Sequence, residues 1–191
     1  PGSGKTDVAC ARVSYLIEKL NVEPGQVLLI SFAKATISNL RERIKKFSTG
    51  NPRVLGVRIS TIDSQSWKML KGFDEDESFE GLMKGFNENI SKALAMIENP
   101  PEGLKDYLNS FKHVVIDEAQ DVIGDRAKLV LALINALNET AGVTILGDNA
   151  QAIYDFTVEC DEMSGKPDAN LIELIGDGKS RHHGNWFIDI E

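Results

Sequence analysis

The sequence predicts an α/β fold with a mainly parallel sheet covered by helices on both faces. Three observations predict it: a Gly-Lys-Thr turn opening an apolar helix, short apolar runs alternating with helical patterns, and one such run ending in two adjacent acids. Runs that are apolar at every position suit strands buried on both sides, as a parallel sheet between helix layers requires.

The chain opens on Pro1-Gly2-Ser3-Gly4-Lys5-Thr6, which matches the tail of the phosphate-loop pattern G-x-x-x-x-G-K-[ST]. Small residues are needed there because backbone N–H groups must close around phosphate oxygens, and the helix that follows turns its positive end to the same anion. Lys5 adds a point charge for the β- and γ-phosphates, and the Thr6 hydroxyl is a ligand for Mg²⁺. The spacing of Val8, Ala9, Val13, Leu16, Ile17 and Leu20 predicts a helix that stops at the turn signal Asn21-Val22-Glu23-Pro24-Gly25. A buried strand is then expected over 26–32, a helix over 36–47 and a strand over 53–60. Residues 68–110 break this rhythm: Gly72, Gly81, Gly85 and Pro100-Pro101 punctuate two weak helical patterns, which read as an insertion. Within it, Ala93, Leu94, Met96 and Ile97 form a packing face. The alternation resumes with a strand over 111–117, a helix over 129–137 and a strand over 143–147.

Composition bounds the rest. With 191 residues and 42% hydrophobic content, the chain can bury one good core, with room for a small insertion. No apolar run approaches the roughly 20 residues that span a bilayer, and no signal pattern is present, so a cytoplasmic protein without a membrane partner is expected. Cys10 and Cys160 lie far apart without metal-type spacing, which points to small buried side chains. The net charge of −8 argues against indiscriminate nucleic-acid binding, but basic residues concentrate over 34–58, where Lys34, Arg41, Arg43, Lys45, Lys46, Arg53 and Arg58 face only Glu42. Such a stretch is either a solvated face or a phosphate-contacting one. Asp74, Glu75, Asp76, Glu77 and Glu80 read as a solvated acidic loop.

Two further segments carry chemistry. Val114-Val115-Ile116-Asp117-Glu118-Ala119-Gln120-Asp121 brings two carboxylates to the C-terminal end of a strand, where open parallel sheets bind ligands. Asp117 suits Mg²⁺, while Glu118 suits orienting and deprotonating a water. Leu146-Gly147-Asp148-Asn149-Ala150-Gln151-Ala152-Ile153-Tyr154-Asp155-Phe156 follows another strand. There the Gln151 amide can hydrogen-bond a γ-phosphate or water, and Tyr154 and Phe156 can stack on bases.

The phosphate loop, SFAKATISNLRERI, RISTIDSQSW, VVIDEAQD and LGDNAQAIYDF occur in this order. Together they resemble the first RecA-like domain of the UvrD/Rep-type superfamily 1 DNA helicases. The resemblance covers most of the chain apart from 68–110. It implies a three-layer P-loop NTPase whose first strand is missing from this chain, with residues 1–67 and 111–191 forming the ATP-binding domain and 68–110 a reduced helical insertion. It further implies ATP and Mg²⁺ as cofactors: Gly2, Ser3, Gly4, Lys5 and Thr6 bind the nucleotide, Thr6 and Asp117 hold the metal, and Glu118, Gln151 and Arg181 serve catalysis. Phe32, Lys34, Thr61, Ser64 and Tyr154 would line a path for single-stranded DNA, and a second RecA-like domain is the implied partner. By itself the 191-residue chain is expected to bind nucleotide weakly and to separate no strands.

Several positions depart from the pattern. Asp7 stands where an arginine is frequent, Lys34-Ala35 replaces an Asn-Lys pair, and Asp63 replaces the histidine of T-x-H-S with a carboxylate expected to repel phosphate. Arg181-His182-His183-Gly184-Asn185 is similar to R-S-x-x-N only loosely. Two rival readings follow: a helicase-like nucleotide switch or scaffold without motor activity, and a P-loop kinase of another class, against which DEAQD and GDNAQ argue.

Overall fold

A computed structural model describes residues 4–32, 34–48, 50–73, 85–147, 168–176 and 186–189. Five strands form one parallel sheet in the order β2-β1-β3-β4-β5: β1 (Val27–Ile30), β2 (Arg58–Ser60), β3 (His113–Ile116), β4 (Gly142–Leu146) and β5 (Trp186–Asp189). The described helices are α1 (Lys5–Glu18), α2 (Lys34–Phe47), α3 (Ile62–Phe73), α4 (Phe86–Glu98), α5 (Leu104–Asn109), α6 (Gly124–Asn135) and the single turn α7 (Leu171–Leu174).

The period-2 alternation of side chains sorts each strand between two cores. Val27 and Leu29 of β1, Val115 of β3 and Leu146 of β4 join Ala9, Val13 and Ile17 of α1 and Leu40 and Ile44 of α2 on one face. Leu28 and Ile30, Val114 and Ile116, and Val143 and Ile145 face the other way, against residues of α3, α4, α5, α6 and α7. The result is the expected α/β/α sandwich. Ile90, Ala93 and Ile97 of α4, with Leu104 and Leu108 of α5, lie buried in this second core, where α4 packs between α3 and α6. Cys10 is buried on α1 in the first core, and burial pushes its thiol up to about 12, so it behaves as a small apolar side chain. Cys160 and the acidic run 74–80 lie outside the described residues. No described helix is long and apolar enough to cross a membrane.

The observed boundaries differ from the expected ones for identifiable reasons. The second strand starts only at Arg58 because Pro52, which has no N–H to give a ladder, opens a 3₁₀ turn over Pro52–Gly56; the Asn51 side chain caps that turn by accepting from the Arg53 N–H at 3.0 Å. Helix α6 begins at Gly124, before the apolar periodicity at Leu129, because its first turn is Gly-Asp-Arg-Ala. Trp186–Asp189, where the sequence pattern predicts no strand, pairs with β4 at the sheet edge.

Register matters most for the site. Ile30 aligns with Ser60 and with Ile116, so β2, β1 and β3 leave the sheet level with one another, while β4, with Ile145 opposite Ile116, runs one residue further to Leu146. Ser31, Thr61 and Asp117 consequently share one level at this edge, and Gly147 follows β4 one step beyond it. Backbone bonds from Ser31 N–H to Ser60 O (3.1 Å) and from Asp117 N–H to Ile30 O (3.0 Å) extend the ladder right up to it.

Candidate active site

Gly4 precedes α1 in the left-handed region (φ 78°), a conformation that disfavours any residue with a Cβ even though the space around it is open. From there α1 starts with no side-chain cap, leaving its first-turn N–H groups to a ligand or solvent. Lys5 is buried at this end, and next to it the Thr6 hydroxyl donates to Asp117 Oδ2 at 3.0 Å. Residues 111 positions apart in sequence are thus joined at the sheet edge.

Asp117 is fully buried, and its Oδ1 has no hydrogen-bond partner among the described residues. Burial and the neighbouring Glu118 push its pKa up to about 6, against the opposing effects of the Thr6 hydroxyl, the Glu118 N–H and Lys5. An orphaned buried carboxylate oxygen costs ~1–3 kcal/mol or more, and a hard cation with its water shell satisfies such an oxygen well. Thr6 and Asp117 therefore fit Mg²⁺. Glu118 follows in the left-handed region (φ 55°, ψ 49°), unusual for a residue with a side chain. That turn carries its carboxylate off the strand, where Oε2 accepts a 2.7 Å hydrogen bond from Gln120 Nε2. Burial, with Glu118 next, also raises the Asp121 pKa.

A second region lies along the same edge. An open cleft of about 620 Å³ is lined by Phe32, Thr61 and Asp63 together with Gly85, Asn87, Glu88 and Arg126. Phe32 is 43% exposed. Thr61 is buried and caps α3: its Oγ1 accepts from the Ser64 N–H (3.1 Å) and lies 2.9 Å from Ser64 Oγ. Phe32 and Thr61 thus line one cleft, with Ser64 tied to it through Thr61. Asp63, the carboxylate expected to repel phosphate, is paired instead: Arg126 Nη2 donates to its Oδ1 at 2.8 Å, and Arg126 Nη1 donates to Asn87 Oδ1 at 3.2 Å.

Several arginines of the basic stretch are engaged within the chain. Arg43 pairs with Asp7 at 2.8 Å, Arg53 pairs with Glu23 at 2.9 Å, and the Arg58 guanidinium stacks over Tyr107 and Phe111. Lys34 opens α2 through its backbone, and its side chain lies outside the described residues, as do Gly2, Ser3, Gln151, Tyr154 and Arg181. Sequence reasoning assigned no role to Gln120 or Arg126. Gln120 sits inside the DEAQD motif, which was a signal, but Arg126 meets Asp63 only through packing across 63 residues.

A family model of the UvrD/REP helicase N-terminal domain matches residues 1–81 and 76–158. Among similar proteins, the "ATP-dependent DNA helicase SRS2" of Saccharomyces cerevisiae is 26% identical over 187 residues, covering 92% of this chain and 16% of that protein. The "Putative ATP-dependent DNA helicase YjcD" of Bacillus subtilis is 21% identical over 260 residues, covering 95% of this chain and 34% of that protein. The "ATP-dependent DNA helicase UvrD1" of Mycobacterium tuberculosis is 27% identical over 136 residues, covering 64% and 17%. The chain thus spans about a third or less of the length of these relatives. With a parallel α/β/α sandwich, a Gly-Lys-Thr helix start bonded to the acid of the central strand, and a family match over most of its length, the chain belongs to the UvrD/REP helicase N-terminal domain family.

Proposed function

We propose that the chain is the ATP-binding core of an ATP-dependent DNA helicase or translocase acting on single-stranded DNA. The observation that carries the reading is the Thr6–Asp117 hydrogen bond at the start of α1, beside buried Lys5. The uncapped α1 terminus and Lys5 receive the β- and γ-phosphates, while Thr6 and Asp117 hold Mg²⁺, which neutralises phosphate charge when bound. Glu118 orients an attacking water and accepts its proton. Gln151 hydrogen-bonds the γ-phosphate or that water, and Arg181 adds positive charge at the γ-phosphate. Phe32, Lys34, Thr61, Ser64 and Tyr154 form the DNA side, and a second RecA-like domain closes the nucleotide cleft.

The test is a pair of variants in the full-length protein. Lys5→Ala is expected to weaken Mg-ATP binding and abolish turnover, because the triphosphate loses its principal side-chain cation. Glu118→Gln is expected to keep Mg-ATP affinity while lowering the ATPase rate by about 10²-fold or more. Equal loss of binding in both variants, read by equilibrium titration, would contradict the division of roles.

A second reading is a nucleotide switch without motor activity. It is favoured by Asp63 on the DNA side and by the intramolecular pairing of Arg43 and Arg53. Salt-sensitive stimulation of the ATPase by single-stranded DNA supports the motor, whereas nucleotide binding with no stimulation supports the switch.

A further inference from the structure

Gln120 is buried although it belongs to a short turn beside the active site, and its two amide atoms face different partners. Nε2 donates to Glu118 Oε2 at 2.7 Å. Oε1 lies against the backbone of Gly147, so closely that a Cβ placed there would stand 3.0 Å from it, with Ile172 Cδ1 at 2.7 Å and Ala119 Cβ at 3.3 Å. Gly147 is the residue by which β4 leaves the sheet, and the sequence that continues from it carries Gln151 and Tyr154. Glu118 has no regular element to hold it: it stands in a left-handed turn between β3 and the 3₁₀ turn Ala119–Asp121. The amide of Gln120 is thus a direct link between the Glu118 carboxylate and the exit of the neighbouring strand.

We infer that Gln120 is a positioning residue that ties the Glu118 carboxylate to the backbone at Gly147, so that a change in the strand exit at Gly147 resets the carboxylate. The inference rests on the proposed reading of Glu118 as the residue that activates water and of Tyr154, in the sequence that follows Gly147, as a DNA contact. Packed contacts transmit such a change because a close-packed neighbour has to move when its partner does. A hydrogen bond is needed for the last step, since an apolar side chain of the same shape fills the space without gripping a carboxylate.

The experiment measures steady-state ATPase of the full-length protein with and without single-stranded oligodeoxythymidylate. Gln120→Met keeps side-chain volume and removes both amide atoms; Gly147→Ala keeps the amide and moves its backbone contact. In each variant the ratio of DNA-stimulated to basal kcat is expected to fall at least tenfold, while the Kd for Mg-ATP stays within twofold and the thermal midpoint confirms folding. A Gln120→Met protein with an undiminished stimulation ratio overturns the inference, as does a parallel fall of both rates with the ratio preserved, the mark of a merely structural role. If Gln120→Met does not fold, Gly147→Ala decides by the same ratio, with Ile172→Val added to relieve the contact at Cδ1. Absence of DNA stimulation in the unmodified protein would instead overturn the motor reading on which the inference stands.

Discussion

At the scale of single residues, the centre of the sheet holds an imidazole that fixes how stability responds to acid. His113 is buried on β3, with Nε2 2.8 Å from Thr144 Oγ1, and burial, followed by the nearby Arg12, lowers its pKa from 6.5 to about 4. The unfolded chain therefore takes up a proton before the folded one. The contribution is complete above about pH 6.5 and is lost progressively as pH falls toward 4. Asp117 has the opposite sign, since its raised pKa favours the folded state as pH falls through about 6. Comparing the unmodified chain with His113→Gln cancels that shared term. Between pH 7 and pH 4.5 the unmodified protein is expected to lose about 2–3 kcal/mol more stability than the variant, read from urea midpoints; equal losses would place a charged imidazole in the folded state. The meeting of Thr6 with Asp117, next to Glu118, was legible in the sequence because the phosphate-loop and DEAQD patterns carry fixed residue types at fixed spacing. His113 and Gln120 were not legible in this way. Their roles arise from what the neighbouring strand places beside them: Thr144 and Gly142 in one case, Gly147 in the other.

At the scale of elements, Arg126 acts as a joint. It projects from the first turn of α6 to Asp63 at the start of α3 and to Asn87 at the start of α4, so one guanidinium ties three helix N-termini at the cleft. Asp63 and Arg126 are about a quarter exposed, which places their pair between a surface bridge and a buried one. A double-mutant cycle with Asp63→Asn and Arg126→Gln is expected to give a coupling of about 1 kcal/mol by chemical denaturation. Zero coupling would make the contact incidental. The strands β1, β3 and β4 were legible to within a residue or two because short, mainly apolar runs bounded by polar turns leave little choice. The start of α6 was hidden because Gly124, Asp125 and Arg126 carry no apolar period; the tertiary contact of Arg126 with Asp63 and Asn87 gives that turn its function instead.

At the scale of the whole molecule, the proposed function asks one sheet edge to serve two kinds of ligand. The net charge is −8, and Arg43 and Arg53 of the basic stretch are already paired with Asp7 and Glu23, which lowers the pull of that stretch on a phosphate backbone. The exposed apolar feature at the cleft is Phe32, one residue beyond Ser31, which is level with Thr61. DNA affinity contributed by this domain should then come from base stacking more than from ion release. Stacking is a contact between π-faces and releases no counterions, whereas each neutralised phosphate of a single strand adds about 0.7 to the magnitude of the slope of log K against log salt. Phe32→Ala in the full-length protein is therefore expected to weaken single-strand binding by ~1–3 kcal/mol at every salt concentration, displacing the plot without tilting it. Fluorescence anisotropy titrations with oligodeoxythymidylate at several salt concentrations read both quantities. A change of slope would mean that Phe32 orders a phosphate-contacting segment, and unchanged affinity would return it to an exposed aromatic with no ligand.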